Sequence, residues 1–375
     1  MAALDRRRLL VGGLGGAGLM AGASPVLARA GPAAGQGGVD FGRLSLNENA
    51  LGPSPKVAEA VSANLGRLNR YVDQGEVDAL AAQIAALERV DPEQVVIGEV
   101  LEPLGLQLAA ARPGGGEFVF STPGYTALID ASRALGGVGV GVPLNARLEN
   151  DLPALSAAVN ERTLAVSLVN PHNPSGTVDD AAAFDRFVAE TAKRTLVVVD
   201  EAYLEYDDLE RRSAIRFTRA GDNVLTFRTL AKVYGLAGLS TGYAVAPLAL
   251  ARKLKAAGLG APHAQNRLAL AAAAAALKDQ DHVRAVVLGV RQGRDRLHAA
   301  LDRLGLRHTD SRASYVFFQS RVPAQGVRDA LAARGLIVGK AFPPLDDWIR
   351  ITIGTAAETD AVIATLDTLF AGNRP

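Results

Sequence analysis

For about two hundred residues, short apolar segments alternate with longer amphipathic segments along the chain. Strand-length apolar runs lie at 94–97, 118–121, 138–142, 164–169, 196–200, 224–227 and 243–246. Amphipathic stretches such as 125–135 and 181–193 separate several of them and predict helices. The run at 196–199 is apolar on both faces, which is typical of parallel strands that helices cover on both sides. The pattern therefore predicts an α/β fold, with a large domain that holds a mostly parallel mixed sheet flanked by helices.

The pattern changes towards both ends of the chain. Near the start, Ser54-Pro55 predicts the first turn of a helix, because serine caps free backbone N–H groups and proline is tolerated there. An alanine-rich segment from His263 to about Leu304 predicts a long helix. The last seventy or so residues predict strands and helices of a smaller α+β C-terminal domain, at 315–319, 322–334, 348–353 and 357–370.

The first thirty residues are typical of an export signal. Asp5 and three arginines precede an uncharged stretch at 11–23, and Ala28-Arg29-Ala30 offers a small-x-small cleavage pattern. The apolar part is shorter than the ~20 residues that span a bilayer. Arg6-Arg7 resembles the bacterial twin-arginine signal. We expect a periplasmic protein cleaved near Ala30 that meets the membrane only during export; the alternative is an uncleaved tail.

Composition excludes several classes of protein. With 49% hydrophobic and 21% charged residues among 375, the chain is neither disordered nor a coiled coil. Forty basic and thirty-nine acidic residues give a net charge of +1 without a basic block, so we expect no nucleic-acid partner. The absence of cysteine excludes disulfides and thiolate chemistry, and the five histidines show no metal-ligand spacing. The expected organisation is a signal at 1–30, a linker and N-terminal arm at 31–55, a large domain at 56–262, a long interdomain helix region at 263–305 and a small domain at 306–375.

Four motifs follow or occupy predicted strands. They are 170–176 (NPHNPSG), 197–203 (VVVDEAY), 227–238 (FRTLAKVYGLAG) and 348–354 (WIRITIG). Because ligands of open α/β sheets bind at the carboxyl ends of the strands, most of these motifs point to one site.

Each motif offers a chemical group and also has a plainer interpretation. Asn173 offers a fixed N–H donor, or it belongs to a tight turn. Asp200 is a buried carboxylate for a protonated ring nitrogen or a metal, or it caps a helix; Tyr203 beside it offers a hydrogen bond. Lys232 is a candidate for a Schiff base with a carbonyl, or it is a surface lysine. Arg350 suits a carboxylate ligand, or it forms a structural ion pair.

In this order the motifs resemble those of the fold type I pyridoxal-phosphate aminotransferases of class I/II, and within them the histidinol-phosphate aminotransferase branch. An opening at 46–52 (LNENALG) adds to the resemblance, which runs to Gly354 and covers about four-fifths of the chain. It implies the cofactor pyridoxal 5'-phosphate, a homodimer with active sites at the interface, and transfer of an amino group between an L-amino acid and a 2-oxo acid. A decarboxylase, a lyase or an amino-acid oxidase on the same fold is the alternative, and a non-catalytic binding protein a further one.

The resemblance also implies roles for single residues. Lys232 is the Schiff-base lysine and proton carrier, Asp200 pairs with the ring nitrogen, and Tyr203 and Asn173 hydrogen-bond the phenolic oxygen. Tyr125 stacks on the ring. By the same resemblance, Tyr71 contacts the phosphate of the neighbouring subunit's cofactor and Arg350 binds the substrate carboxylate. Asn49 and Lys340 are further implied substrate-binding residues.

Two departures from the family concern phosphate groups. The loop at 98–103 (GEVLEP) lacks a second glycine and a serine, Ala231 replaces a serine and Ser240 replaces an arginine. The expected phosphate contacts are Thr229, Ser240, the backbone amides of Val100 and Leu101, a helix N-terminus and Tyr71. In 335–340 (GLIVGK), Lys340 lies one position from the family's arginine. We therefore expect a substrate without a phosphate.

Overall fold

A computed structural model describes residues 42–371 as alternating strands and helices. The strands are β1 (Gly42–Leu44), β2 (Val95–Ile97), β3 (Glu117–Thr122), β4 (Val138–Pro143), β5 (Thr163–Val169), β6 (Leu196–Asp200), β7 (Val224–Thr229), β8 (Gly242–Val245), β9 (Tyr315–Gln319), β10 (Leu336–Val338) and β11 (Trp348–Thr352). The α-helices are α1 (Pro55–Asn64), α2 (Gln74–Glu88), α3 (Leu101–Ala110), α4 (Ala127–Ser132), α5 (Leu152–Ala158), α6 (Ala181–Ala192), α7 (Leu209–Arg212), α8 (Ile215–Ala220), α9 (Leu248–Ala256), α10 (Arg267–Lys278), α11 (Gln280–Arg303), α12 (Ala324–Ala332) and α13 (Ala356–Phe370).

Seven strands form the central sheet in the order β2-β8-β7-β6-β5-β3-β4. Strand β8 runs antiparallel to both of its neighbours, and the other pairs are parallel. The carboxyl ends of β2, β7, β6, β5 and β3 therefore meet at one edge. This is the mostly parallel mixed sheet that the sequence predicts.

Helices cover both faces of this sheet, which explains why its middle strands are apolar throughout. Val198 of β6 packs in a buried cluster with Leu104 of α3 and Leu254 of α9. Val197, one residue earlier, points to the opposite face and packs with Phe184 of α6. Burial of one such side chain contributes about 1.5–3 kcal/mol, so these layers hold the strand ends firmly in place.

Two small sheets complete the fold. Strands β9 and β11 pair antiparallel, and Arg350 lies opposite Phe317 in their register. Strands β1 and β10 pair parallel, so Gly42 lies opposite Leu336. The second pair joins the beginning of the described chain to its last quarter.

The long helix expected at 263–304 is two helices, α10 and α11, which meet at Asp279. Two residues at the start of α1 bind Asp279 at this break. Ser54 donates its hydroxyl hydrogen to the Asp279 carboxylate at 2.6 Å, and Lys56 pairs with the same carboxylate at 3.1 Å. Ser54 also accepts the Lys56 N–H and so caps α1, with Pro55 in the first turn, as the sequence predicts.

The predicted export signal and residues 31–41 of the linker and N-terminal arm lie outside the described residues. Residues 42–371 pack as one compact unit, and the domain boundaries proposed within it stay a prediction. Within residues 42–371, no helix has both the length and the apolar character needed to cross a membrane.

Candidate active site

The common edge of the central sheet gathers the predicted polar groups. Lys232 follows β7, Asp200 ends β6, Asn173 follows β5 and Tyr125 follows β3. Glu99, which the sequence analysis did not single out, follows β2 at the same edge. Four of the predicted site residues therefore lie at the edge where ligands of open α/β sheets bind.

Asp200 is a buried carboxylate, with only 4% of its surface exposed. Its Oδ1 accepts the Ala202 N–H at 3.0 Å. The pKa of Asp200 is raised to about 7, mainly by burial; the negative charge of Glu99 contributes to the rise, whereas the Ala202 N–H and the positive charge of Lys232 oppose it. No α-helix begins after it among the described residues until Leu209, so the helix-cap interpretation does not apply. A ligand group with a positive charge, such as a protonated ring nitrogen, would stabilise the ionised form of this carboxylate.

Lys232 is half-buried in the loop after β7. Its Nζ donates to the carbonyl oxygen of Leu46 at 3.1 Å and lies 6.0 Å from the centre of the Tyr203 ring. Gly235 closes the loop at a φ of +71°, and a Cβ there would lie 2.7 Å from the backbone nitrogen of Pro53. Only glycine tolerates both conditions, so this residue lets the lysine loop pack against the segment before α1.

Arg350 and Asn173 meet although 177 positions separate them in sequence. The guanidinium donates to Asn173 Oδ1 at 2.5 Å and to the Ser45 carbonyl at 2.6 Å. It lies 5.4 Å from the centre of the Tyr315 ring and 5.0 Å from that of Phe342. Its buried Nε has no hydrogen-bond partner. None of the ion pairs within residues 42–371 includes this arginine, so the structural ion-pair interpretation does not hold.

Tyr203 is fixed by a residue that sequence reasoning passed over. Its hydroxyl accepts the side-chain N–H of Asn47 at 2.9 Å, and its ring meets Tyr315 edge to face at 5.2 Å. Asn47 adopts a φ of +57°, and its backbone N–H donates to the Thr352 hydroxyl at 3.0 Å. The only sequence signal was its place in the 46–52 motif.

Tyr125 borders the site with 45% of its surface exposed. Burial of its hydroxyl raises its pKa, and the nearby charges of Asp200, Glu102 and Glu99 raise it further. Its hydroxyl therefore stays protonated. A half-exposed aromatic ring beside a buried carboxylate is what a flat ligand ring needs for stacking.

Three other predicted residues do not join this cluster. Tyr71 has 87% of its surface exposed. The Asn49 amide donates to the carbonyls of Gly52 and Val233, at 3.0 Å each, and so serves the local loop. Lys340 is exposed just after β10.

The predicted phosphate contacts lie together at the β2 side of the edge. Val100 and Leu101 form the start of α3, whose first N–H groups no side chain caps. Thr229 accepts the Ala231 N–H at 3.1 Å. Ser240 is exposed, with a φ of +44°. Helix amides and hydroxyl groups here suit an anion.

Arg228 is the basic residue nearest in sequence to this group, but it does not serve it. It is buried and pairs with Glu88 at 3.2 Å and with Glu201 at 3.0 Å. The positive charge of Arg228 is therefore neutralised by these two carboxylates. The ring end of the site fits pyridoxal phosphate, whereas at the phosphate end Ser240 stands in place of the family's arginine and Arg228 is already paired.

Comparisons with known proteins agree with this geometry. The chain matches the family "Aminotransferase class I and II" over residues 40–366. It is 35% identical over 329 residues to histidinol-phosphate aminotransferase 2 of Carboxydothermus hydrogenoformans, which covers 86% of this chain and 90% of that protein. It is 36% identical over 324 residues to the aromatic amino acid aminotransferase of Rhodococcus jostii, with coverages of 86% and 88%.

A solved structure shows the same fold. Histidinol-phosphate aminotransferase from Sinorhizobium meliloti, in complex with pyridoxal-5'-phosphate, superposes with a TM-score of 0.79 at 28% identity, over 88% of this chain and 91% of that one. The predicted fold, enzyme class and cofactor are confirmed. The chain belongs to the class I and II aminotransferases and is a pyridoxal-phosphate-dependent transaminase.

Proposed function

We propose that this protein is an exported, homodimeric transaminase that moves an amino group between an L-amino acid without a phosphate and a 2-oxo acid. The observation that carries the proposal is the convergence of Lys232, Asp200 and Arg350 on one face of the fold. Each of them has an unbalanced charge or an open donor that a substrate or cofactor would satisfy.

Pyridoxal phosphate, when bound, supplies a carbonyl for amine exchange and a ring that accepts electrons. Lys232 is placed to link to that carbonyl and to carry a proton, because its Nζ bonds a neutral backbone oxygen. Asp200 holds a proton on the ring nitrogen. Tyr203 and Asn173 offer hydrogen bonds to the ring's phenolic oxygen, since Asn47 and Arg350 orient them.

Arg350 is assigned to the carboxylate of the substrate. Its guanidinium lies close to two aromatic rings, whose faces favour one orientation of its planar fork. Asn173 and Ser45 hold its two terminal nitrogens in place, and a carboxylate would give the positive charge its missing partner.

A substrate without a phosphate is favoured by the same surroundings. Lys340 is the basic residue nearest to the family's arginine position, and it is exposed and one position displaced. The aromatic amino acid aminotransferase among the relatives supports an amino acid of this kind.

The first test is a panel of amino donors with 2-oxoglutarate, with histidinol phosphate as the phosphorylated member. We expect kcat/KM to be about 10- to 100-fold higher for the best donor without a phosphate, because a charge-assisted hydrogen bond is worth about 1.5–3 kcal/mol. The products should be a 2-oxo acid and a new amino acid. A preference for histidinol phosphate that Lys340→Ala removes would contradict the proposal, and so would ammonia with peroxide as products.

A homodimer is supported by a cluster of exposed apolar residues around Tyr71. Leu65 and Leu68 precede it, with 51% and 61% of their surfaces exposed. Exposed apolar side chains in a contiguous patch are typical of protein interfaces. We infer that this segment packs on a second copy and that Tyr71 reaches the partner's cofactor phosphate.

Export rests on Arg6-Arg7 and the segment that follows. Replacing both arginines by lysines is expected to leave the protein in the cytoplasm, because a twin-arginine signal requires the pair. The measurement is cell fractionation followed by immunoblotting. The matched control is Arg8→Lys, which should export normally; a periplasmic double variant would indicate the general secretory route.

A further inference from the structure

Glu99 places a carboxyl group in the part of the site where the cofactor's phosphate belongs. It lies between β2 and α3, directly before the amide of Val100. The Gly98 N–H donates to the Gly242 carbonyl at 2.8 Å, which fixes the loop to the start of β8. Gly242 in turn lies opposite Thr229 in the register of β7 and β8, so the loop that carries Glu99 adjoins Thr229. Two of the groups expected to hold a phosphate, Thr229 and Val100, therefore adjoin this acidic side chain.

The charges that face Glu99 are mostly negative. Glu102 on α3 raises its pKa, in addition to the larger effect of burial, and Lys232 from the loop after β7 lowers it. Asp200 on β6 and Tyr125 before α4 lie close enough for the charge of Glu99 to raise their pKa values as well. Lys232 is the cation in this group, and it is the residue that must react with the cofactor.

A phosphate bound here would meet an ionised carboxyl with no cation between them. The position of the family's arginine is Ser240, and Arg228 is engaged by Glu88 and Glu201. Two anions in contact are stable when they share a proton, because the hydrogen bond replaces the repulsion between them.

We propose that Glu99 is a cofactor-binding residue that shares one proton with the phosphate of the bound cofactor, so that cofactor binding is coupled to proton uptake. The inference rests on the assignment of pyridoxal phosphate to this site. The bound phosphate makes the carboxyl harder to ionise than in the free protein. Above the pKa of free Glu99, binding must therefore take up a proton, and affinity falls as pH rises, by up to tenfold per unit.

The test uses pyridoxamine 5'-phosphate, which forms no covalent bond with Lys232. Its binding is titrated by calorimetry at pH 8 in two buffers of different ionisation enthalpy, which gives the number of protons taken up. We expect the wild-type protein to take up close to one proton more than Glu99→Gln. The variant should also bind at least about tenfold more tightly at pH 8, with the difference shrinking towards pH 6.

Glu99→Ala is the second variant, and it should lose the same proton. Glu102→Gln is the matched control, because Glu102 is a solvent-exposed carboxylate in the first turn of α3 and should keep the wild-type uptake. Pyridoxamine without a phosphate should show equal uptake in wild-type protein and Glu99→Gln. If wild-type protein and Glu99→Gln take up the same number of protons with pyridoxamine 5'-phosphate, this inference is wrong and the cofactor assignment is unaffected. Failure of the wild-type protein to bind this ligand at any pH would overturn the cofactor assignment as well.

Discussion

Replacing Lys232 by alanine is expected to lower transamination by at least about 10⁴-fold. Proton transfer by a positioned group contributes about 10²- to 10⁴-fold by itself, and the variant also loses the covalent link to the cofactor. Borohydride reduction followed by mass spectrometry is the second measurement. In the wild-type protein it should fix the cofactor to the peptide that contains Lys232.

The control for this variant is Lys193→Ala, since Lys193 is an exposed lysine that bonds only Glu190 among the described residues. It should react with the cofactor and turn over normally. If Lys232→Ala still retains cofactor covalently after reduction, another lysine forms the link and the assignment is wrong.

Asp200→Asn is expected to lower kcat by about 10²-fold or more, comparable with the loss of one charge-stabilising group. An asparagine can still accept the Ala202 N–H but cannot hold a proton on the ring nitrogen. The stability of the cofactor-free protein separates this role from a structural one. Because burial raises the folded-state pKa of Asp200 to about 7, its contribution to stability is lost as pH rises through 7.

The cofactor-free Asn variant should therefore unfold at the same temperature as the wild-type protein at pH 8, or at a higher one. Thermal unfolding followed by circular dichroism measures this. Near-normal kcat in a well-folded variant would show that Asp200 serves only the local backbone.

Much of the site could be read from the sequence because its residues stand where strands end. Asp200 closes a wholly apolar run, and Lys232 follows another, so their positions in the fold followed from the alternation of strands and helices. The residue types completed the prediction, because a buried acid and an arginine inside a strand each need a partner of opposite charge or a hydrogen-bond partner.

What the sequence could not show depends on contacts between distant parts of the chain. Asn47 meets Tyr203 across 156 positions, and the break at Asp279 depends on Ser54, 225 positions away. Apolar periodicity continues through 279, so local rules predicted one helix. Glu99 was missed although it lies in the 98–103 loop, because an acid in an anion site contradicts the expected chemistry.

The pairing of β1 with β10 sets an order on the events of synthesis. Gly42 cannot find Leu336 until the ribosome has made and released almost the whole chain. The Ser45 carbonyl and Asn47, which follow β1 and contact Arg350 and Tyr203, are in turn positioned late. A nascent chain therefore has no finished catalytic centre, because Arg350 reaches Asn173 only after almost the whole chain has been made.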